Sequence, residues 1–266
     1  MKKIFLAIAC LLMSVGIQAQ TDTMYVMKAG QVIGKFNIYT QIDSIIFSRS
    51  NASVVTDIDG NVYNTIKIGT QTWMIQNLKT TKYNDGTEIP NVTVDSIWES
   101  LQTGAYCNYD NIESNATKYG RLYNWYAVST GKLAPPGWRV PSDDDWSILI
   151  NYLVAKGYNF DGTKNEDKTA KALASTSDWG TSQVQGSPGA YPQGNNSSGF
   201  TGLPGGSRLD GSFYSIEYNC YWWTSDKNDD VDRSAKSRAL RYHTIYLQKI
   251  KLDLFDGCYI RCVKNE

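Results

Sequence analysis

The chain has 266 residues, 41% hydrophobic and 12% aromatic, which fills a sizeable core and excludes an intrinsically disordered protein. Its 26 basic and 26 acidic residues balance, leaving no bulk field for nucleic acid or an anionic membrane. A single histidine, His243, excludes most histidine-based metal sites and leaves any nucleophile triad one imidazole base.

Residues 1–19 read as a signal peptide: Lys2 and Lys3, an apolar run over 4–17, and small Ala19 before Gln20. The run is shorter than a membrane span, and Leu11, Leu12 and Met13 continue it past Cys10, against a lipid-modified cysteine there. No later segment approaches spanning length, so the expectation is export without a transmembrane segment, to periplasm, cell surface or medium. Residues 20–50 alternate apolar and polar side chains around a turn at Ala29-Gly30 and predict a small β-meander ending at Ile45–Phe47. The polar stretch 48–53 is a boundary, and 54–266 is the main domain.

There, Gly, Asp and Pro turns punctuate short β-rich runs such as 65–68, 72–75, 238–242 and 259–263. Helical periodicity is clear once. Ser142 is its N-cap and Asp145 the capping-box partner, and Trp146, Leu149, Ile150 and Leu153 form one apolar face. Shorter helices are expected over 124–129 and 168–174. Few helices among many short strands predict an α+β domain. The Gly-, Ser- and Asn-rich stretch 175–211 is too long for a structureless loop. Interior aromatics or cations must order it, with Trp179, Tyr191, Phe200 and Leu203 as expected anchors.

After leader removal four cysteines remain: Cys107, Cys220, Cys258 and Cys262. An even number in an exported chain predicts two disulfides. On a strand, Cys258 and Cys262 share a face about 13 Å apart, beyond the roughly 7 Å a disulfide tolerates. Each therefore reaches back to Cys107 or Cys220, in either of two pairings.

Asp57-Ile58-Asp59-Gly60-Asn61 begins like a calcium loop, but Ile68 stands where the bidentate Glu belongs, so a β-turn is the better reading. Asp226, Asp229, Asp230 and Asp232, with Asn228, are the oxygen ligands a weakly held Ca²⁺ would use; no other cofactor is expected. The competing reading is a solvated acidic loop countered by Arg233, Lys236 and Arg238. Adjacent Trp222 and Trp223 point to opposite faces of a strand, so one ring can be core while its neighbour, beside Asp226 and Asn228, forms a sugar platform. No nucleophile motif accompanies His243.

Several word-like runs carry a resemblance: 56–63, 68–74 with Asn77-Leu78, 119–126, Gly137-Trp138-Arg139-Val140-Pro141-Ser142 with Trp146, Leu203-Pro204-Gly205-Gly206, 221–225 and Arg261-Cys262-Val263. In this order they resemble the Fibrobacter succinogenes major paralogous domain from about residue 54 onward. That resemblance implies an exported Bacteroidetes-type protein without an assigned molecular function. The helix entry at 137–146 is similar to formylglycine-generating-enzyme-like domains, a branch of the C-type-lectin-like fold, and implies that fold. The family resemblance also decides the cysteine pairing, since Cys107 and Cys262 sit where the family commonly carries cysteine; it implies Cys107–Cys262 and Cys220–Cys258. The resulting expectation is a non-enzymatic envelope module presenting loops to glycan or protein ligands, with Trp222, Trp223, Asp226 and Asn228 as binding residues. A formylglycine-generating type of enzyme and a purely structural envelope protein are the alternatives.

Overall fold

The computed structural model describes residues 23–28, 31–37, 53–228 and 233–266. The leader, the meander's turn and its expected end at 45–47, and Asp229, Asp230 and Asp232 lie outside the described residues. The chain divides into two compact units, Met1–Asn51 and Ala52–Glu266. In the first, β1 (Thr23–Lys28) and β2 (Gln31–Asn37) pair antiparallel, with a register shift between Val26 and Met27.

The second unit opens with β3 (Val54–Thr56), β4 (Val62–Ile68) and β5 (Gln71–Met74), then helix α1 (Asp95–Glu99). Strands β6 (Tyr106–Cys107) and β7 (Leu122–Tyr123) pair across α2 (Glu113–Tyr119), and α3 (Trp125–Ser129) follows. Next come β8 (Trp138–Arg139), α4 (Asp143–Ala155), α5 (Ala170–Leu173) and β9 (Gly205–Leu209). The chain ends with β10 (Ser212–Ile216), β11 (Asn219–Lys227), β12 (Ser234–Arg241), β13 (Gln248–Asp253) and β14 (Val263–Lys264). One five-stranded sheet runs β3-β4-β5-β14-β8 and the other β10-β9-β11-β12-β13, with β9 and β11 parallel. Mostly β with few helices, this is an α+β unit. Among the described residues no helix is long and apolar enough to cross a membrane.

Helix α4 forms where the local signals place it. The Ser142 hydroxyl accepts from Asp145 N–H at 3.1 Å, and the Asp145 carboxylate accepts from Ser142 N–H at 2.9 Å. Two otherwise orphaned donors are thereby satisfied. Trp146, Leu149, Ile150 and Leu153 are all buried.

Strand β11 separates two clusters of buried side chains. Cys220, Trp222, Leu240, Tyr259 and Val263 belong to one; Tyr221, Trp223, Ala239, Cys258, Ile260 and Cys262 belong to the other. Strand alternation produces this division, because successive side chains leave opposite faces. Residues 258–262 are extended, but a bridge from Trp222 to Tyr259 replaces the regular ladder expected there. Trp73, Trp146, Phe200 and Trp222 form a four-ring group in the first cluster, with centroids 4.9–5.8 Å apart. Each such contact adds about 0.5–1.5 kcal/mol beyond area burial.

The expected disulfides Cys107–Cys262 and Cys220–Cys258 are not formed, and all four cysteines are buried free thiols. Each expected pair splits between the two clusters, Cys107 and Cys220 in the first and Cys258 and Cys262 in the second. Cys220 and Cys258 lie on neighbouring extended segments, yet their side chains leave opposite faces.

A buried cation ties these layers together. Arg261 lies 4.6 Å from the Phe200 ring centroid and 5.8 Å from that of Trp222. It donates to Asn77 Oδ1 (2.9 Å) and to the carbonyls of Phe200 (2.7 Å) and Met74 (3.3 Å). Burial lowers its pKa to about 10, so it stays charged at neutral pH. Asn77 Oδ1 also accepts from Trp222 Nε1 at 2.8 Å, while its amide donates to the Tyr119 carbonyl at 2.7 Å.

Candidate functional site

The residues singled out for binding are absorbed by the scaffold. Trp222 and Trp223 do face opposite sides of β11, yet both are fully buried. Trp223 Nε1 donates to the Tyr123 carbonyl at 2.8 Å. Neither ring is a platform, because the sheet is covered on both faces: Trp146 and Phe200 pack on Trp222, while α3 crosses β11 with Trp125 Nε1 donating to the Thr224 carbonyl. Half-buried Asp226 accepts from Asp143 N–H at 2.5 Å, completing the α4 N-terminus. Buried Asn228 bonds Ser234 twice, through its backbone N–H (3.0 Å) and its amide (2.9 Å).

Asp57 and Asp59 form the turn between β3 and β4. Asp57 accepts from Asp59 N–H, Asn61 N–H and the Tyr63 hydroxyl, and Asp59 accepts from Thr81. Among the described residues no group of three or more His, Cys, Asp or Glu is placed to hold a metal.

Burial pushes the Cys107 thiol up to about 12, against the pull of Arg208, and likewise raises Cys220, Cys258 and Cys262. Such thiols resist forming the reactive thiolate. His243 is exposed, its ring set edge-on to Tyr242 at 4.7 Å.

What the fold does present is the long loop after α5. Lys171, on α5, donates through Nζ to the carbonyls of Ala190 (2.5 Å) and Tyr191 (2.8 Å) and to Asn195 Oδ1 (2.8 Å). Burial lowers the pKa of this ammonium. The Asn195 amide in turn donates to the carbonyls of Ser175 (2.8 Å) and Pro188 (3.0 Å). Trp179 and Phe200 are buried anchors as expected, and Leu203 packs against the core partly buried. Tyr191 is not an anchor; it is 73% exposed. Its backbone is left-handed at φ 58°, a conformation costly for a residue with a Cβ and held by surrounding structure. The Lys171 clamp supplies that hold, and Pro192 opens the short helical turn that follows.

Beside Tyr191 lies a concavity of roughly 460 Å³ lined by Phe160, Lys171, Ser182, Gln183, Gln185 and Tyr191. Phe160 fills the space a side chain on Gly186 would need, since a Cβ there would stand 2.2 Å from its ring. An exposed aromatic face, two amides and a hydroxyl, without a lining carboxylate, suit a neutral hydroxyl-rich ligand. A second concavity, about 570 Å³, lies between Asp143 and Lys236, Lys249 and Lys251 of β12–β13. Its carboxylate is committed: burial pushes Asp143 up, but Arg238 at 2.6 Å and Lys249 at 3.1 Å outweigh this and hold it low. Sequence reasoning missed the Tyr191 tip, although a Tyr-Pro step inside a polar loop is a local turn signal.

A family model described as the Fibrobacter succinogenes major domain matches residues 66–264. The chain belongs to this family. No curated protein and no solved structure matches it. The motif words of the Fibrobacter succinogenes major domain now have a physical meaning here. Trp73, Trp146 and Trp222 supply three of the four rings, and Asn77 and Arg261 the polar hub beneath them. The words therefore specify the scaffold, whereas Tyr191 lies outside them.

Proposed function

We propose that this Fibrobacter succinogenes major domain is an exported, non-enzymatic binding module that takes neutral glycans on the loop centred at Tyr191. The observation carrying the reading is the clamp: Lys171 spends its charge on the backbone carbonyls of Ala190 and Tyr191, fixing a strained residue that stands 73% exposed. A rigid exposed aromatic loses little entropy on stacking against a sugar face. The amides of Gln183 and Gln185 and the Ser182 hydroxyl supply donors and acceptors for sugar hydroxyls. Export rests on the leader-like residues 1–19, and a C-type-lectin-like arrangement on the helix entry at 137–146. The buried, high-pKa thiols weigh against the alternative of a cysteine-dependent enzyme.

A glycan array tests the proposal, followed by titration of the hits against Tyr191→Ala, Tyr191→Phe and Lys171→Met. Tyr191→Ala should weaken binding by about tenfold or more, the loss of one stacking contact. Tyr191→Phe should retain it, and Lys171→Met should weaken it without touching the ring. An array without hits, or binding indifferent to Tyr191→Ala, would overturn the assignment.

A further inference from the structure

Three partly exposed side chains on one face of the β11–β12–β13 sheet have unspent polar atoms. Asn219 Oδ1, Arg241 Nε and Gln248 Oε1 are each buried without a hydrogen-bond partner among the described residues. The ladder brings them together. Asn219 stands directly opposite Arg241, and Gln248 stands opposite Ala239, the next same-face position along β12. Opposed positions are about 5 Å apart at Cβ and diagonal ones about 7 Å. Their other polar groups lie beside neighbouring tyrosines. Asn219 Nδ2 donates to the Tyr221 hydroxyl at 3.2 Å, Gln248 Nε2 reaches the Tyr246 hydroxyl at 3.5 Å, and the Arg241 guanidinium lies 5.9 Å from the Tyr221 ring centroid.

A buried polar atom without a partner costs a fold about what a lost hydrogen bond would, so three on adjacent ladder positions call for an explanation. Their chemistry is specific: one donor beside two acceptors. We infer that this cluster is a second binding site, separate in its residues from the Tyr191 concavity, and that it takes a vicinal diol of a neutral sugar. A hydroxyl donates and accepts at once. One hydroxyl of the diol donates to Asn219 Oδ1, its neighbour donates to Gln248 Oε1, and either accepts from Arg241 Nε–H. Each of the three residues is itself only partly buried, which places the cluster next to solvent. A carboxylate can only accept. It would satisfy Arg241 but set its charge against two amide oxygens. Tyr246, 44% exposed and within reach of the Gln248 amide, offers a ring for the apolar face of the sugar.

The ligand class rests on the glycan-binding reading; the position does not. The test is NMR titration of the full chain with methyl glucoside, methyl mannoside and acetate, following the side-chain amides of Asn219 and Gln248 and the Arg241 Nε–H. At least one neutral glycoside should shift all three signals. Asn219→Ala and Gln248→Ala should each raise its Kd about tenfold, one hydrogen bond's worth. Tyr191→Ala should leave these shifts in place, so that loss of the loop site and loss of this one are told apart. Absence of shifts with any neutral glycoside would overturn the inference. So would stronger binding of acetate, or a crystal structure soaked in the glycosides in which ordered water alone fills the cluster.

Discussion

Replacing Asn77 by Ala removes one small amide and breaks three hydrogen bonds at the centre of the domain. Its Oδ1 accepts from Trp222 Nε1 at 2.8 Å and from Arg261 Nε at 2.9 Å, and its amide donates to the Tyr119 carbonyl at 2.7 Å. Asn77 is 3% exposed and both donor side chains are fully buried, so water cannot replace the lost partner without opening the core. Each buried polar group left unsatisfied costs about 1–3 kcal/mol, and more when it is charged, as Arg261 is. The three bonds share one network and do not add in full, which puts the loss at about 4–6 kcal/mol. For a unit of this size that lowers the melting temperature by on the order of 10–20 °C. Urea unfolding followed by tryptophan fluorescence, with Asn77→Asp as control, measures it. Asn77→Asp keeps the acceptor and adds charge opposite Arg261, but sets a carboxylate oxygen against the Tyr119 carbonyl, so it should recover part of the loss. A loss for Asn77→Ala under about 1.5 kcal/mol, the net worth of one ordinary hydrogen bond, would refute the role given to this residue.

Asp256 supplies a pH signature. Burial pushes its carboxyl up to about 7, against the backbone N–H groups of Asp210 and Asp253 that donate to it at 3.1 and 3.0 Å. The folded chain then holds a proton that the unfolded chain has released above its ordinary 3.8. Stability should therefore fall by roughly 1.4 kcal/mol per pH unit between those two values and level off above pH 7, in the difference between wild type and Asp256→Asn. Cys107, Cys220, Cys258 and Cys262 should be inert to a thiol reagent in the native state and all reactive in guanidinium without reductant. A disulfide-linked peptide joining Cys107 or Cys220 to Cys258 or Cys262 would contradict the two-face assignment. Asp226→Ala should cost about 1–2 kcal/mol through the exposed α4 N-terminus and leave glycan binding unchanged, measured by thermal melts and the same titration.

Local patterns were legible in the sequence and non-local ones were not. The α4 helix could be read because Ser142, Asp145 and the four apolar positions lie within twelve residues of one another and interact through one helical turn at a time. The opposite orientations of Trp222 and Trp223 followed from strand geometry alone. Whether either ring is exposed depends on what covers it: Trp146 and Phe200 on one side, Tyr123 and Trp125 on the other, all far away in the chain. The cysteine pairing failed for the same reason, since a count, a compartment and the positions at which a family carries cysteine say nothing about which face each thiol leaves. Tyr191 was misplaced as an anchor because aromatic character was weighed above the proline that follows it. The unsatisfied cluster at Asn219, Arg241 and Gln248 depends on the register of three strands, which no short window of sequence displays.

Residues 258–263 serve two interiors in alternation, and this makes their reading frame inflexible. Inserting or deleting a single residue there would send Tyr259 and Arg261 to the side built for Cys258 and Ile260, exchanging bulky and small groups in both interiors at once. The loop that carries Tyr191 has no such constraint. It is pinned at separate points by Lys171, Asn195, Trp179 and Phe200, and the residues between those pins can change in number or kind while each pin keeps its partners. New specificities should therefore be selected from libraries randomised over 181–185 and at Gln193, on a scaffold whose terminal segment is left untouched.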